Sequence, residues 1–136
     1  MRIMAVDYGD ERTGVAVSDP LGMIAGEAWT IKEWNAERLA LGIAAEARSR
    51  GVGTVVLGLP KNMDGTEGAR AEKSRALKAL LEEAGCAEVV LWDERRTSIE
   101  AHAILHSVGK KEKAHRKTVD AVAASLILEG YLGSLK

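Results

Sequence analysis

The first eighteen residues, Met1-Arg-Ile-Met-Ala-Val-Asp-Tyr-Gly-Asp-Glu-Arg-Thr-Gly-Val-Ala-Val-Ser18, limit most strongly what this chain can fold into. An apolar run, Ile3 to Val6, stops at Asp7; a glycine-bearing turn follows, and a second apolar run, Val15 to Val17, begins just after Gly14. The pattern predicts a β-hairpin whose first strand ends in a carboxylate. A strand buried on both faces reads as a continuous apolar run, so this one belongs inside a sheet. A carboxylate at its tip is costly unless a cation or hydrogen bonds satisfy it, which places Asp7 for metal or phosphate chemistry. The plainer alternative is a turn aspartate accepting from the amides of Tyr8 and Gly9.

Further strands are expected at 23–31, 53–59 and 87–93, beside those at 2–7 and 13–18. The 53–59 and 87–93 runs are compact and β-branched, as interior strands are, whereas Gly26 marks 23–31 as an edge or a bulge. Helices are expected at 36–50, 67–84, 98–107 and 117–132. Asn35 and Gly51 bracket the first as N-cap and C-terminal glycine. Thr66 is the expected cap of the second, and Thr97-Ser-Ile-Glu100 reads as a capping box for the third. The last helix lines up Val119, Val122, Ala123, Leu126 and Ile127 on one face. The order β-β-β-α-β-α-β-α-α predicts an α/β domain with a mixed five-stranded sheet. Its first three strands are antiparallel, the next two parallel, and helices flank it. The 136 residues suit one domain spanning 1–136.

A net charge of −1 argues against coating nucleic acid through bulk charge, while leaving local basic patches open. The single cysteine, Cys86, has no internal disulfide partner and no zinc spacing, and reads as a small buried residue. No apolar run approaches the ~20 residues needed to cross a bilayer, and acids interrupt the N-terminus where a signal peptide would be apolar. The expectation is a soluble cytoplasmic protein with no membrane association.

Acids stand where apolar structure ends. Asp7 closes the first strand, Asp93 and Glu94 close the fifth, and Asp120 lies at the margin of the last helix's apolar stripe. Ligands bind outside the carboxyl ends of strands in open α/β sheets, so neighbouring first and fifth strands would put Asp7 beside Asp93 and Glu94. Clustered carboxylates need a counter-charge, and oxygen-rich sites suit Mg²⁺ or Mn²⁺. The plainer alternative is ion pairing, Asp93 or Glu94 with Arg95 or Arg96 and Asp120 with Lys117. Basic residues available for phosphates are Arg12, Lys61, Arg95 and Arg96, with Lys110, Lys111, Lys113, Arg116 and Lys117 in the run before Asp120. Pro60 to Gly68 is a glycine-bearing strand-to-helix loop whose amides could meet an anion, but it is not a Walker A sequence. His102 and His106 read as packing or surface residues, and Trp29, Trp34 and Trp92 are expected to pack and not to stack on bases.

Four segments together resemble the YqgF/RuvX family: Asp7-Tyr-Gly-x-x-Arg12-x-Gly14; Gly58-Leu-Pro60 with Asn62, Asp64-Gly65 and Gly68; Asp93-Glu-Arg95 with Thr97 and Glu100; and Val119-Asp120-x-x-Ala123-Ala124. The motifs occur in the expected order and cover nearly the whole chain. The resemblance implies an RNase H-like, RuvC-related fold and a divalent-metal nuclease using Mg²⁺ or Mn²⁺. It implies catalytic acids at Asp7, at one of Asp93 and Glu94, and at Asp120. Asp93 and Glu94 cannot point the same way on a regular strand; Glu94, longer and past the strand end, is the expected one. The expected reaction is phosphodiester hydrolysis in structured RNA, as in 5′-end processing of pre-16S rRNA during ribosome biogenesis. Ribosomal precursor particles are then partners, and the protein is a monomer or homodimer. The rival readings are a resolvase of branched DNA and a non-catalytic nucleic-acid-binding module. A sugar-kinase or actin-like ATPase would share the hairpin but needs a second lobe.

Overall fold

The computed structural model describes residues 1–86, 88–96 and 116–135, the last stretch without the side chains of 116–119. The expected helix at 98–107, with its capping box and both histidines, lies outside the described residues. Five strands form one sheet: β1 (Arg2–Asp7), β2 (Arg12–Ser18), β3 (Ala25–Lys32), β4 (Val52–Leu59) and β5 (Val89–Asp93), in the order β3-β2-β1-β4-β5. The helices are α1 (Ala36–Arg50), α2 (Ala69–Glu83) and α3 (Arg116–Ser134), and a short 3₁₀ turn (Glu94–Arg96) follows β5. β1 pairs antiparallel with β2 and parallel with β4, β2 antiparallel with β3, and β4 parallel with β5. This is the RNase H-like mixed sheet the sequence leads one to expect.

Each face of the sheet has its own core. Met4, Val6, Val15, Val17, Val55 and Leu57 pack with Leu39, Ile43, Leu77 and Leu81 from α1 and α2. On the other face Ala5, Ala16, Val56 and Trp92 meet Ala124, Ile127, Leu128 and Leu132 of α3. The alternation of Met4/Val6 against Ala5/Asp7 follows from the two-residue period of a strand. β1 and β2 turn Met4, Val6, Val15 and Val17 to the two-helix layer and Ala5 and Ala16 to α3, so α3 sits close to these strands. Both layers bury β1 completely from Met4 to Val6.

Local signals explain most boundaries. Asn35 caps α1 by accepting from the Arg38 amide (2.9 Å), and Gly51 ends it in the left-handed conformation (φ 69°). β3 is an edge strand, and its pairing with β2 is irregular between Ala16 and Ser18, near Gly26, as that glycine suggests. One expectation and one supposition fail. Thr66 does not cap α2: Gly68 is its N-cap, without a side-chain hydrogen bond. Instead the Thr66 amide and hydroxyl both donate to Asp64 Oδ1 (3.0 and 2.6 Å). The first and fifth strands are not neighbours either, because β4 lies between them. Both run parallel to β4, however, so their carboxyl ends still share one rim.

Candidate functional site

The rim is built from the ends of β1 and β5 and the start of the described part of α3. Asp7 ends β1 directly opposite Gly14 of β2. Paired residues point to the same face, and Ala5, two residues before Asp7, belongs to the α3 layer. A Cβ at Gly14 would collide with the backbone carbonyl of Asp120. The glycine that interrupts an otherwise apolar strand is thus where α3 crosses the sheet, and the crossing brings Asp120 alongside Asp7.

Strand parity separates the other two acids. Trp92 packs in the α3 layer, so Asp93 turns to the opposite face and the next residue returns towards α3. Asp93 pairs with Arg95 (2.7 Å) and also accepts its backbone amide (2.9 Å). That bonding holds the Asp93 carboxyl below the usual aspartate range. This is the ion pair anticipated as the plain alternative for the acidic pair. Glu94 instead lies over β4: a Cβ at Gly58 would come within 3.1 Å of Glu94 Cδ and 2.9 Å of Ile127 Cδ1. Gly58 and Gly14 are therefore matching gaps, one under Glu94 and one under Asp120.

Asp7 registers this company. Its pKa is raised to about 7, first by burial, then by the charges of Glu94 and Asp120, with Arg70 opposing. The anticipated turn bonding does not occupy the Gly9 amide, which donates to Thr13 Oγ1 (3.4 Å). A nearly enclosed carboxylate facing two others is the environment in which a divalent ion replaces a proton, and an all-carboxylate donor set suits Mg²⁺ or Mn²⁺. Among the described residues no three His, Cys, Asp or Glu side chains are closed around a single point tightly enough to hold an ion as they stand.

The basic residues are distributed unevenly. Arg12 stands 3.6 Å from Glu11, and Lys61 3.9 Å from Glu67. Arg95 is committed to Asp93 and donates to the Met63 carbonyl (3.4 Å), tying β5 to the loop after β4. Arg96 covers the Trp92 ring at 4.2 Å. Lys110, Lys111 and Lys113 lie outside the described residues; Arg116 and Lys117 open α3, their side chains and any Lys117–Asp120 pairing outside the description. In the Pro60–Gly68 loop the amides of Asn62, Gly65 and Thr66 donate within the loop, which takes those three from any anion there.

Sequence reasoning missed two groups. Arg70, from the first turn of α2, donates to the Tyr8 carbonyl (3.2 Å) and is the cation acting on Asp7, while Lys73 pairs with Asp10 (2.8 Å). Only the β4–α2 crossover brings them there, and no local motif marks it. The second group is Trp34 with Lys32. Trp34 is 64% exposed and belongs to neither core, contrary to the packing role expected of it, whereas Trp29 and Trp92 do pack.

Comparison with known proteins places the chain in a family and matches its fold. A family model described as "RuvX: Holliday junction resolvase" matches residues 1–134. A relative from Acetivibrio thermocellus named "Putative pre-16S rRNA nuclease" is 43% identical over 136 residues, covering 98% of this chain and 96% of that one. A relative of the same name from Halothermothrix orenii is also 43% identical, over 133 residues (97% and 94%). Among solved structures, the Fowlpox virus resolvase with Holliday junction DNA aligns with a TM-score of 0.61 at 14% identity, covering 99% of each chain. The T. thermophilus RuvC bound to a Holliday junction aligns at 0.59 and 14%, covering 98% and 96%. Those two likenesses establish the fold.

Proposed function

The chain belongs to the RuvX family, and from that premise we propose that it is a divalent-metal-dependent endonuclease. Its substrate in this reading is structured RNA, specifically the 5′ end of pre-16S rRNA during ribosome biogenesis in the cytoplasm. The observation that supports it most is the meeting of Asp7, Glu94 and Asp120 on one face of the carboxyl rim, with Asp7 raised to about 7 by burial first and then by the charges of the other two acids. The name carried by relatives 43% identical to the chain supports the choice of substrate.

In this mechanism Asp7, Glu94 and Asp120 would hold Mg²⁺ or Mn²⁺. When bound, such an ion stabilises charge on the scissile phosphate and makes water a stronger nucleophile at neutral pH. Asp93 stays outside, holding Arg95 against the loop after β4. Arg12, Arg95, Arg96 and the 110–117 segment position the sugar-phosphate backbone, contacts that orient without reading sequence. The near-neutral net charge provides little non-specific affinity, which suits a substrate presented by a precursor particle.

The test is cleavage of labelled precursor RNA in Mn²⁺ by the wild type and by Asp7→Asn. Cleavage by the first and at least ~10²-fold less by the second supports the reading; equal products from both remove it. The family's description favours one second reading, resolution of branched DNA by a symmetric dimer. A four-way DNA junction in the same assay, cleaved faster than the RNA, would favour it.

A further inference from the structure

Trp34, Lys32 and Arg12 form a feature the metal site does not use. Thr30 of β3 stands opposite Gly14, and Gly14 opposite Asp7, so these three share a face. Lys32 opposes Arg12 two residues further along the same strands, returning to that same face. Strand spacing and rise put the Lys32 position about 12 Å from Asp7. Lys32 Nζ lies over the Trp34 ring, 5.3 Å from its centroid. The ring packs into neither core and remains 64% exposed with that lysine in place. The cations are held loosely: Glu11 is 3.6 Å from Arg12 and 4.0 Å from Lys32. Exposed pairs of this kind contribute little, so a phosphate can take either cation over at small cost.

We propose that Trp34 is a stacking platform for an unpaired base of the substrate, with Lys32 and Arg12 holding the flanking phosphates. This assigns a single-stranded extension beside the cleavage point as part of what the site recognises, and it rests on the nuclease reading above. An exposed indole beside two cations, on the acid-bearing face and a few nucleotides from the acids, has the make-up of a single-strand binding surface. There, aromatic stacking and backbone charge act together. A paired base keeps its neighbours in the helix and has no free face to offer. The platform therefore discriminates a frayed or extended end from an uninterrupted duplex.

The probe is a labelled hairpin RNA with an eight-nucleotide single-stranded extension, its binding followed by anisotropy in Ca²⁺. A second series walks one abasic site through the extension. Trp34→Ala is expected to weaken binding about five- to one-hundred-fold, and Trp34→Phe to stay within about threefold of wild type. At one abasic position Trp34→Ala should cause no further loss, the coupling expected of two groups in contact. The proposal is overturned if Trp34→Ala binds within twofold of wild type. It is equally overturned if the loss is the same for a blunt hairpin, if it is unchanged at every abasic position, or if wild type binds none of these RNAs. Cleavage in Mn²⁺ is read in parallel. A wild type that binds with this coupling but never cleaves keeps the platform and sinks the nuclease reading. One that cleaves as fast with Trp34→Ala as without it, with no binding difference, does the reverse.

Discussion

Replacing Asp7 by Asn removes a buried charge whose cost can be worked from the structure. The carboxyl is raised from 3.8 to about 7 by burial and by the charges of Glu94 and Asp120. A folded-state pKa above the unfolded value means that the native protein binds a proton more tightly than the unfolded chain. The associated stability is complete below about pH 4 and is lost as pH rises towards 7. At ~1.36 kcal/mol per pH unit, the full loss is about 4 kcal/mol. Asn at position 7 is neutral throughout and escapes that loss. In metal-free buffer Asp7→Asn should therefore gain about 2–4 kcal/mol over wild type between pH 4 and pH 8, the lower end allowing for relaxation of the coupled acids. Urea unfolding of both proteins at several pH values in EDTA measures this, because subtraction cancels groups common to the two. Millimolar Mg²⁺ at pH 8 should narrow the gap by stabilising wild type more than the variant. A difference that stays constant across this pH range would refute the raised Asp7 carboxyl.

Gly14→Ala drives a Cβ into the Asp120 carbonyl, a backbone atom that cannot rotate away. It should cost about 3 kcal/mol and at least ~10-fold in cleavage, read by thermal unfolding and assay together. Glu94→Gln should lose at least ~10²-fold in cleavage, whereas Asp93→Asn, on the other face and bonded to Arg95, should keep activity within about 10-fold. Leu57→Ala, fully buried between β4 and the two-helix layer, should destabilise by about 2–5 kcal/mol in urea titrations without altering the metal requirement. Mn²⁺ affinity measured by calorimetry should rise with pH up to about 7, since Asp7 must release its proton to serve as a ligand.

Much of the architecture was legible because local chemistry and tertiary structure agree. The alternation in β1 and β2, the Asn35 cap, the Gly51 stop and the edge character announced by Gly26 all reappear in the fold. Strand alternation also made it readable that Asp93 and Glu94 point to different faces, since one residue of a strand reverses the face; which of the two serves the site was argued from side-chain length alone. What was not legible depends on pairing order. Nothing in the sequence says that β4 inserts between β1 and β5, and Arg70 reaches Asp7 only through that crossover. Thr66 has the composition of a cap, but its hydroxyl accepts from the Asn62 side-chain amide and donates to Asp64 within the loop, and the cap passes to Gly68. Trp34 was read as a packing residue because indoles are usually buried. Its place just past the edge strand, beyond both cores, leaves it no apolar surface to cover.

The account turns on whether a divalent ion sits where the three acids meet. Anomalous diffraction from crystals soaked in Mn²⁺ tests this directly. The expected result is a peak within ligating distance of Asp7 and of at least one of Glu94 and Asp120, absent in Asp7→Asn crystals. Manganese found only at Asp93 or on the outer surface, with the Asp7 carboxyl untouched, would contradict it.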